Sequence, residues 1–274
     1  MRGVLVGTIA LIAVAAARPV MAADLGTKPP IYALPTPVAT VPSWTGFYLG
    51  GSLGGRWADV DWNTTDIASG AIAPDPTTRH ASFDRAAFRA SLHAGYDWQF
   101  ARLFVAGIEV DAGWADSRKT IPGLPGAEGG PFVVCGGSGC TIGPGDFTSV
   151  KEKWDASVRA RFGYLFNPFL LIYATGGVSW LRIEARMTCV PIPTNFCFDP
   201  HNETQRTTRA GWTIGAGLEW SVWNSWLARA EYRYADYGTL RHSFFTVNPF
   251  DAITADIRVT THTGLVGIAY KFDP

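Results

Sequence analysis

From Phe47 onward, apolar and polar positions alternate along the chain with a period of two. The clearest run is Phe88-Arg89-Ala90-Ser91-Leu92-His93-Ala94-Gly95-Tyr96-Asp97-Trp98-Gln99-Phe100, where every even position is apolar and every odd one is polar or Gly. A helix, at ~3.6 residues per turn, cannot produce that pattern, whereas a strand with one apolar face does. The even parity recurs in Phe104 to Trp114, Trp154 to Phe166, 170 to 182, 208 to 220, Trp226 to Tyr234 and a last run ending Val266, Ile268, Tyr270, Phe272. An opening run on odd positions holds Phe47, Leu49, Gly51, Leu53 and Trp57, so the pattern predicts eight strands.

The connections alternate in length. Ala101-Arg102, Asn167-Pro168-Phe169 and Ser221 to Ser225 are short, while 62 to 85, 115 to 150, 187 to 206 and 238 to 256 are long and rich in Gly, Pro, Thr and Asp. Strict alternation puts all long loops at one end. The predicted fold is therefore all-β, an eight-stranded antiparallel up-and-down transmembrane β-barrel with long loops on one side and short turns on the other.

A soluble lipocalin-type barrel would show the same alternation, and the aromatics separate the two. On the apolar parity, Phe47, Trp98, Phe100, Phe104, Tyr164, Phe166, Trp220, Trp226, Tyr270 and Phe272 stand next to the short turns, and Trp57, Phe88, Trp114, Trp154 and Trp180 stand at the long-loop ends. Phe88 to Trp98 and Phe104 to Trp114 each span ten steps. At ~3.3 Å per residue and ~40° of tilt the rise is about 25 Å, the height of an outer-membrane apolar band. A soluble core has no reason to sort aromatics to two rims.

The opposite parity carries charge. Arg56, Arg89, Asp97, Glu109, Asp111, Asp155, Arg159, Arg161, Arg209, Glu219, Arg229, Glu231 and Arg233 would point into the lumen, where Gly107, Gly163, Gly177, Gly215 and Gly217 leave room for long side chains. An eight-stranded barrel has an interior just wide enough for side chains to fill, so the preferred reading is a paired, hydrogen-bonded plug. The alternative is a narrow ion path through rings of Arg and carboxylate.

Composition narrows the class further. The 47% hydrophobic content excludes wholesale disorder, and the balance of 23 Lys plus Arg against 23 Asp plus Glu removes the basic footprint that nucleic acid demands. Arg2, the apolar run Gly3 to Ala17 and the small residues around Ala22 read as a secretory signal peptide over 1–22. A Pro-rich periplasmic lead-in follows over 23–45, with the barrel over 46–272. Export makes the four cysteines disulfide candidates, with Cys135 near Cys140 and Cys189 near Cys197. Their spacing is not that of a zinc ribbon, and three connectivities remain open.

Other chemistry is thin. His93 and Ser91 share a strand face, but residues two apart sit ~7 Å from each other, too far for a nucleophile and its base. Asp59, Asp61 and Asp66 lack the Gly and spaced Glu of a calcium loop and read as a solvated acidic edge. Nothing in these motifs asks for a cofactor.

The ordered segments Trp44-Thr45-Gly46-Phe47-Tyr48-Leu49-Gly50-Gly51, Gly107-Ile108-Glu109-Val110-Asp111, Arg159-Ala160-Arg161-Phe162-Gly163-Tyr164, Tyr173-Ala174-Thr175-Gly176-Gly177-Val178, Gly211 to Glu219 and Glu231-Tyr232-Arg233-Tyr234 resemble the alphaproteobacterial outer-membrane immunogenic proteins. These are small OmpA-like, porin-like barrels, and the resemblance runs from about Trp44 to Phe272. It implies a Gram-negative outer-membrane protein with surface-exposed loops and no known reaction. Implied partners are outer-membrane lipid and lipopolysaccharide, the barrel assembly machinery, and other envelope proteins or a host surface. Tyr270 and Phe272 would form the assembly signal, although Asp273-Pro274 follow it and the aromatic is not terminal. The cysteine pairs are a second departure from the family pattern. The expected function is structural and surface-exposed, in envelope integrity, antigenicity or adhesion, with a plugged lumen; the alternatives are a low-conductance porin-like channel and, third, a lipid-modifying enzyme.

Overall fold

A computed structural model describes residues 43–68, 74–127, 145–191, 197, 199–223 and 225–272. The predicted signal peptide, the lead-in up to residue 42, Cys135 and Cys140 lie outside the described residues. The strands are β1 (Gly46–Ile67), β2 (His80–Ser82), β3 (Arg85–Ala101), β4 (Phe104–Pro122), β5 (Phe147–Asn167), β6 (Leu170–Cys189), β7 (His201–Trp223), β8 (Trp226–Phe244) and β9 (Ile253–Phe272). They form one antiparallel sheet in the order β2-β1-β3-β4-β5-β6-β7-β8-β9, and β1 also pairs with β9 from Phe47↔Phe272 to Ile67↔Ile253. β2 extends the β1 edge at Asp61–Asn63, just beyond the point where the β1–β3 pairing ends at Ala58↔Arg85.

The faces are inverted relative to a water-soluble fold. Ile214 and Ile268 are more than half exposed, at 55% and 59%, while Arg89, Glu109 and Arg159 are each 0% exposed. Apolar side chains therefore cover the outside and charged ones fill the inside, as a lipid solvent requires. The three tight connections join β3 to β4, β5 to β6 and β7 to β8, and the Asn167 side-chain oxygen accepts from Phe169 N at 2.8 Å to shape the second.

The strands outrun the predicted ones at the long-loop end, and the apolar parity changes sign there. In β1 the outward residues Leu49, Leu53 and Trp57 are apolar, but beyond Trp57 it is the inward Ala58, Val60 and Trp62 that are apolar and the outward Asp59 and Asp61 that are exposed. In β6 the switch runs from outward Ile172 and Val178 to inward Leu181, Ile183, Ala185 and Met187. In β9 it runs from outward Ile268 and Val266 to inward Val259, Ile257, Ala255 and Ile253. Outside the membrane the exterior is water, so the apolar surface has to turn inward. A pattern read at one fixed phase ends at this switch, which is why the expected loops 62–85, 115–150, 187–206 and 238–256 begin too early and end too late.

The inward apolar residues make a core above the aromatic rim. Trp62 stacks on Phe244 at 5.6 Å and lies 6.0 Å from Phe83, and its indole N–H donates to Thr64 Oγ1 at 3.1 Å. The Cys189–Cys197 disulfide joins the same core, with both cysteines buried. In the connection before β2, Asp75 accepts from Thr77 N and Thr77 Oγ1 at 2.7 and 2.6 Å, and these bonds hold its carboxyl below the ordinary range. A second apolar cluster closes the short-turn end: Trp44, Tyr48, Val105, Leu165, Leu171, Tyr173, Leu227 and Ala269. Trp44, from the predicted lead-in, donates its indole N–H to Pro168 O at 3.1 Å. Truncating Trp62 to Ala removes the largest side chain of the upper core and is expected to cost about 3–5 kcal/mol. Hydrogen exchange should show the loss at Val60 and Ile257, while the strand amides near Ile108 and Ile268 stay protected; equal protection throughout would contradict a separate outer core.

Candidate functional site

Between the two apolar clusters, the inward positions of the strands meet in a network of ionised side chains. All but Glu152 come from the parity opposite the lipid-facing residues, so one backbone alternation places both sets. The room comes from glycine. A Cβ on Gly217 would lie 2.6 Å from the Tyr173 hydroxyl, and one on Gly113 would collide with the Arg89 guanidinium.

The contacts run without a break along the lumen. At the short-turn end, Arg161 pairs with Glu219 at 2.7 Å, sits over the Tyr173 ring at 4.1 Å and donates to Tyr48 Oη at 3.0 Å. Tyr48 donates in turn to Glu109 at 2.8 Å. Glu109 is gripped by Arg159 and, at 2.8 Å, by Arg229. Glu231 takes Arg159 at 2.6 Å, Arg233 at 2.8 Å, Arg229 and the Tyr173 hydroxyl. Arg233 reaches Asp111 at 2.9 Å, and Asp111 also holds Arg89 at 2.8 Å and accepts from Ser157. Asp155 bridges Arg89 at 2.5 Å and Arg56 at 2.9 Å, and Arg56 ends the chain at Glu152, 3.3 Å away.

Twelve of the thirteen sequence-predicted lumen residues are brought together in this network. Asp97 is its loosest member, 3.5 Å from Arg161. Arg209 is not part of it: it is half-buried on β7 and its Nη2 donates to Thr239 O at 2.9 Å. The parity of Arg209 is inward, but it stands above the rim, where the interior has become apolar and the side chain turns to a backbone carbonyl instead.

The pattern also missed members. Glu152 has even parity and would face outward, but a register irregularity between Glu152 and Asp155 turns Lys153 and Trp154 outward together and Glu152 inward. Tyr48 and Tyr173 are not among the predicted lumen residues; their hydroxyls bridge arginine to glutamate. His93 Nδ1 lies 3.3 Å from Ser52 Oγ on β1, across the strand pair rather than along β3 toward Ser91. Asp59 lies 3.7 Å from His262, and among the described residues no group of three His, Cys, Asp or Glu is arranged to hold a metal ion.

Buried pairs of this kind add little net stability, because desolvating the ions offsets their attraction. Breaking them is another matter, since the partner left behind stays buried. Glu109→Gln is expected to lower unfolding stability by about 3–5 kcal/mol. Combining it with Arg159→Gln should cost less than the two single changes together, with a coupling of about 1 kcal/mol or more. Denaturant titration of the four proteins in detergent micelles checks this; strict additivity would contradict the network.

The outer membrane protein beta-barrel domain family matches residues 29–272. The 31 kDa outer-membrane immunogenic protein of Brucella melitensis is 30% identical over 272 residues, covering 96% of this chain and 98% of the relative. The 22 kDa outer membrane protein of Rhizobium leguminosarum bv. viciae is 31% identical over 201 residues, 73% of this chain and 68% of the relative. Among solved structures, the outer membrane protein OprG of Pseudomonas aeruginosa superposes with a TM-score of 0.54 at 15% identity, covering 84% of this chain and 97% of that one. The outer membrane protease OmpT of Escherichia coli gives 0.51 at 9% identity, covering 83% and 97%. At those identities the structural likeness concerns the fold alone.

Proposed function

Because the chain belongs to the outer membrane protein beta-barrel family, with the outer-membrane immunogenic proteins of Brucella among its relatives, we propose that it is a sealed structural barrel that displays its long-loop end to the outside of the cell. Its eight long strands close through β1 and β9, leaving β2 as a small addition to the outer end. The observation that carries this reading is the layering of the lumen. An ion moving along the axis would have to pass the apolar cluster around Leu171 and Leu227, an interlocked network in which Arg159 and Glu109 are fully buried, and a second apolar core around Trp62 and Ile257. Each apolar layer is a dehydration barrier, and each charge between them already has a counter-charge in contact.

The work of the molecule then lies at its surfaces. The outer face satisfies lipid, closure pairs the strands edge to edge over the lipid-facing height, and the outer end offers a surface for antigenic or adhesive contacts. Export through the leader over 1–22 and insertion guided by Tyr270 and Phe272 belong to the same reading, as do lipopolysaccharide and the barrel assembly machinery as partners.

Planar-bilayer recording of the refolded barrel is expected to show no reproducible conductance steps, given independent evidence of insertion. Steps whose ion preference shifts when Arg159, Arg161, Glu109 and Asp111 are neutralised would overturn the sealed reading in favour of a narrow channel.

A further inference from the structure

The charged residues just above the long-loop rim are not spread evenly around the sheet. On β4 to β7 the outward-facing set holds six cations, Arg118, Lys151, Lys153, Arg182, Arg186 and Arg206, against two carboxylates, Asp116 and Glu184. Register sets part of it in a row across four strands: Arg118↔Lys151, Lys151↔Glu184 and Glu184↔Arg206. The two carboxylates are already engaged, Asp116 by Lys151 at 2.8 Å and Glu184 by Lys153 at 2.8 Å and Arg206 at 3.1 Å. Arg182 has the Thr208 hydroxyl at 3.3 Å, Arg186 has Asn202 at 2.9 Å and the Phe147 ring, and Arg118 is exposed. Among the described residues none of these three arginines forms an ion pair.

The other side is different in kind. On β8, β9 and β1, Arg258 is paired with Asp236 at 2.8 Å, Arg241 lies 3.9 Å from Asp256 and His262 lies 3.7 Å from Asp59, while Asp61 is exposed. The β4 to β7 face thus offers unneutralised guanidinium above the rim, while on β8, β9 and β1 each outward arginine faces a carboxylate.

Depth identifies what the basic side meets. Arg182 stands two residues beyond Trp180, and Arg118 four residues beyond Trp114. At ~3.3 Å per residue and ~40° of tilt, Arg182 and Arg118 lie about 5–10 Å above the aromatic rim, and Arg186, six residues beyond Trp180, lies about 15 Å above it. The polar headgroup regions add roughly 5–8 Å to each side of the hydrocarbon core, so Arg182 lies within that layer and Arg118 at its outer edge, while Arg186 stands above it. Guanidinium groups recognise phosphate through paired N–H donors, and the rim aromatics beneath pack on acyl chains.

We propose that the outward face of β4 to β7 above Trp114, Trp154 and Trp180 is a one-sided binding site for the phosphorylated glycolipid of the outer leaflet, its lipid A phosphates held by Arg118 and Arg182. The site rests on the reading of the chain as an outer-membrane barrel with its long loops outward. It also fixes the orientation of the barrel relative to neighbouring lipid, because the acidic side repels the same phosphates.

The test is retention of lipid A by the full chain in phosphatidylcholine nanodiscs doped with bisphosphorylated lipid A, counted by native mass spectrometry. Heat-modifiable migration on gels confirms the folded state of each variant. The wild type is expected to retain lipid A. The variant R118Q/R182Q should retain at least about tenfold less, while R241Q/R258Q on the acidic side retains as much as wild type. Dephosphorylated lipid A should not be retained, and inorganic phosphate should not displace the phosphorylated form. Equal retention by the two variants, retention of the dephosphorylated form, or displacement by inorganic phosphate would each overturn the site while leaving the barrel intact. A wild-type chain that does not enter the bilayer overturns the outer-membrane reading itself.

Discussion

Ionised side chains inside a narrow barrel must find their counter-charges there, and this constraint organises the rest of the molecule. Glu109 and Glu231 each face several arginines, Asp111 and Asp155 share Arg89, and Tyr48 and Tyr173 fill the gaps with hydroxyls that accept from one ion and donate to another. With a counter-ion against each ion, such a network favours one register and one packing, since an ion left without one would stay charged in a place water does not reach. The glycines on the inward parity follow from the same requirement, because a guanidinium lying across the lumen needs the volume that a side chain on Gly113 would take.

Charge in the middle of the lumen is compatible with lipid outside only over the height of the bilayer. Above it the solvent on the outside changes, and the sheet answers by exchanging the roles of its faces without breaking its strands. β1, β6 and β9 carry apolar residues outward up to Trp57, Trp180 and Val266 and inward beyond them. The result is three stacked interiors: an apolar base closed by Trp44, a charged middle, and an apolar core around Trp62 that is stapled by Cys189–Cys197. Long strands carried past the membrane hold up the loops and give the lipid-facing exterior a charged collar.

Much of this was legible in the sequence because alternation and charge are local. The lumen set from Arg56 to Arg233 follows from parity alone, and the short turns follow from Asn167-Pro168-Phe169 and its counterparts. What escaped was phase. Glu152 sits on the wrong parity because a bulge shifts β5 by one residue, and bulges leave no mark in an alternation read from single positions. Arg209 kept the right parity but stands above the rim, where the interior has changed character. Val60, Ile183 and Ile257 fall outside the apolar runs because their apolar parity opposes that of the strand they continue. Trp44 looked like linker because its partner, Pro168, lies 124 residues away.

The central claim is that the lumen is dry and closed from both ends. Substituted-cysteine accessibility tests it directly, using Thr175→Cys beside Arg159 within the network and Thr208→Cys on the outward face as a reference. A sealed lumen predicts that a small water-soluble thiol reagent labels position 208 within the mixing time and labels position 175 only after denaturation. Rapid labelling of position 175 in the folded, membrane-inserted barrel would contradict it.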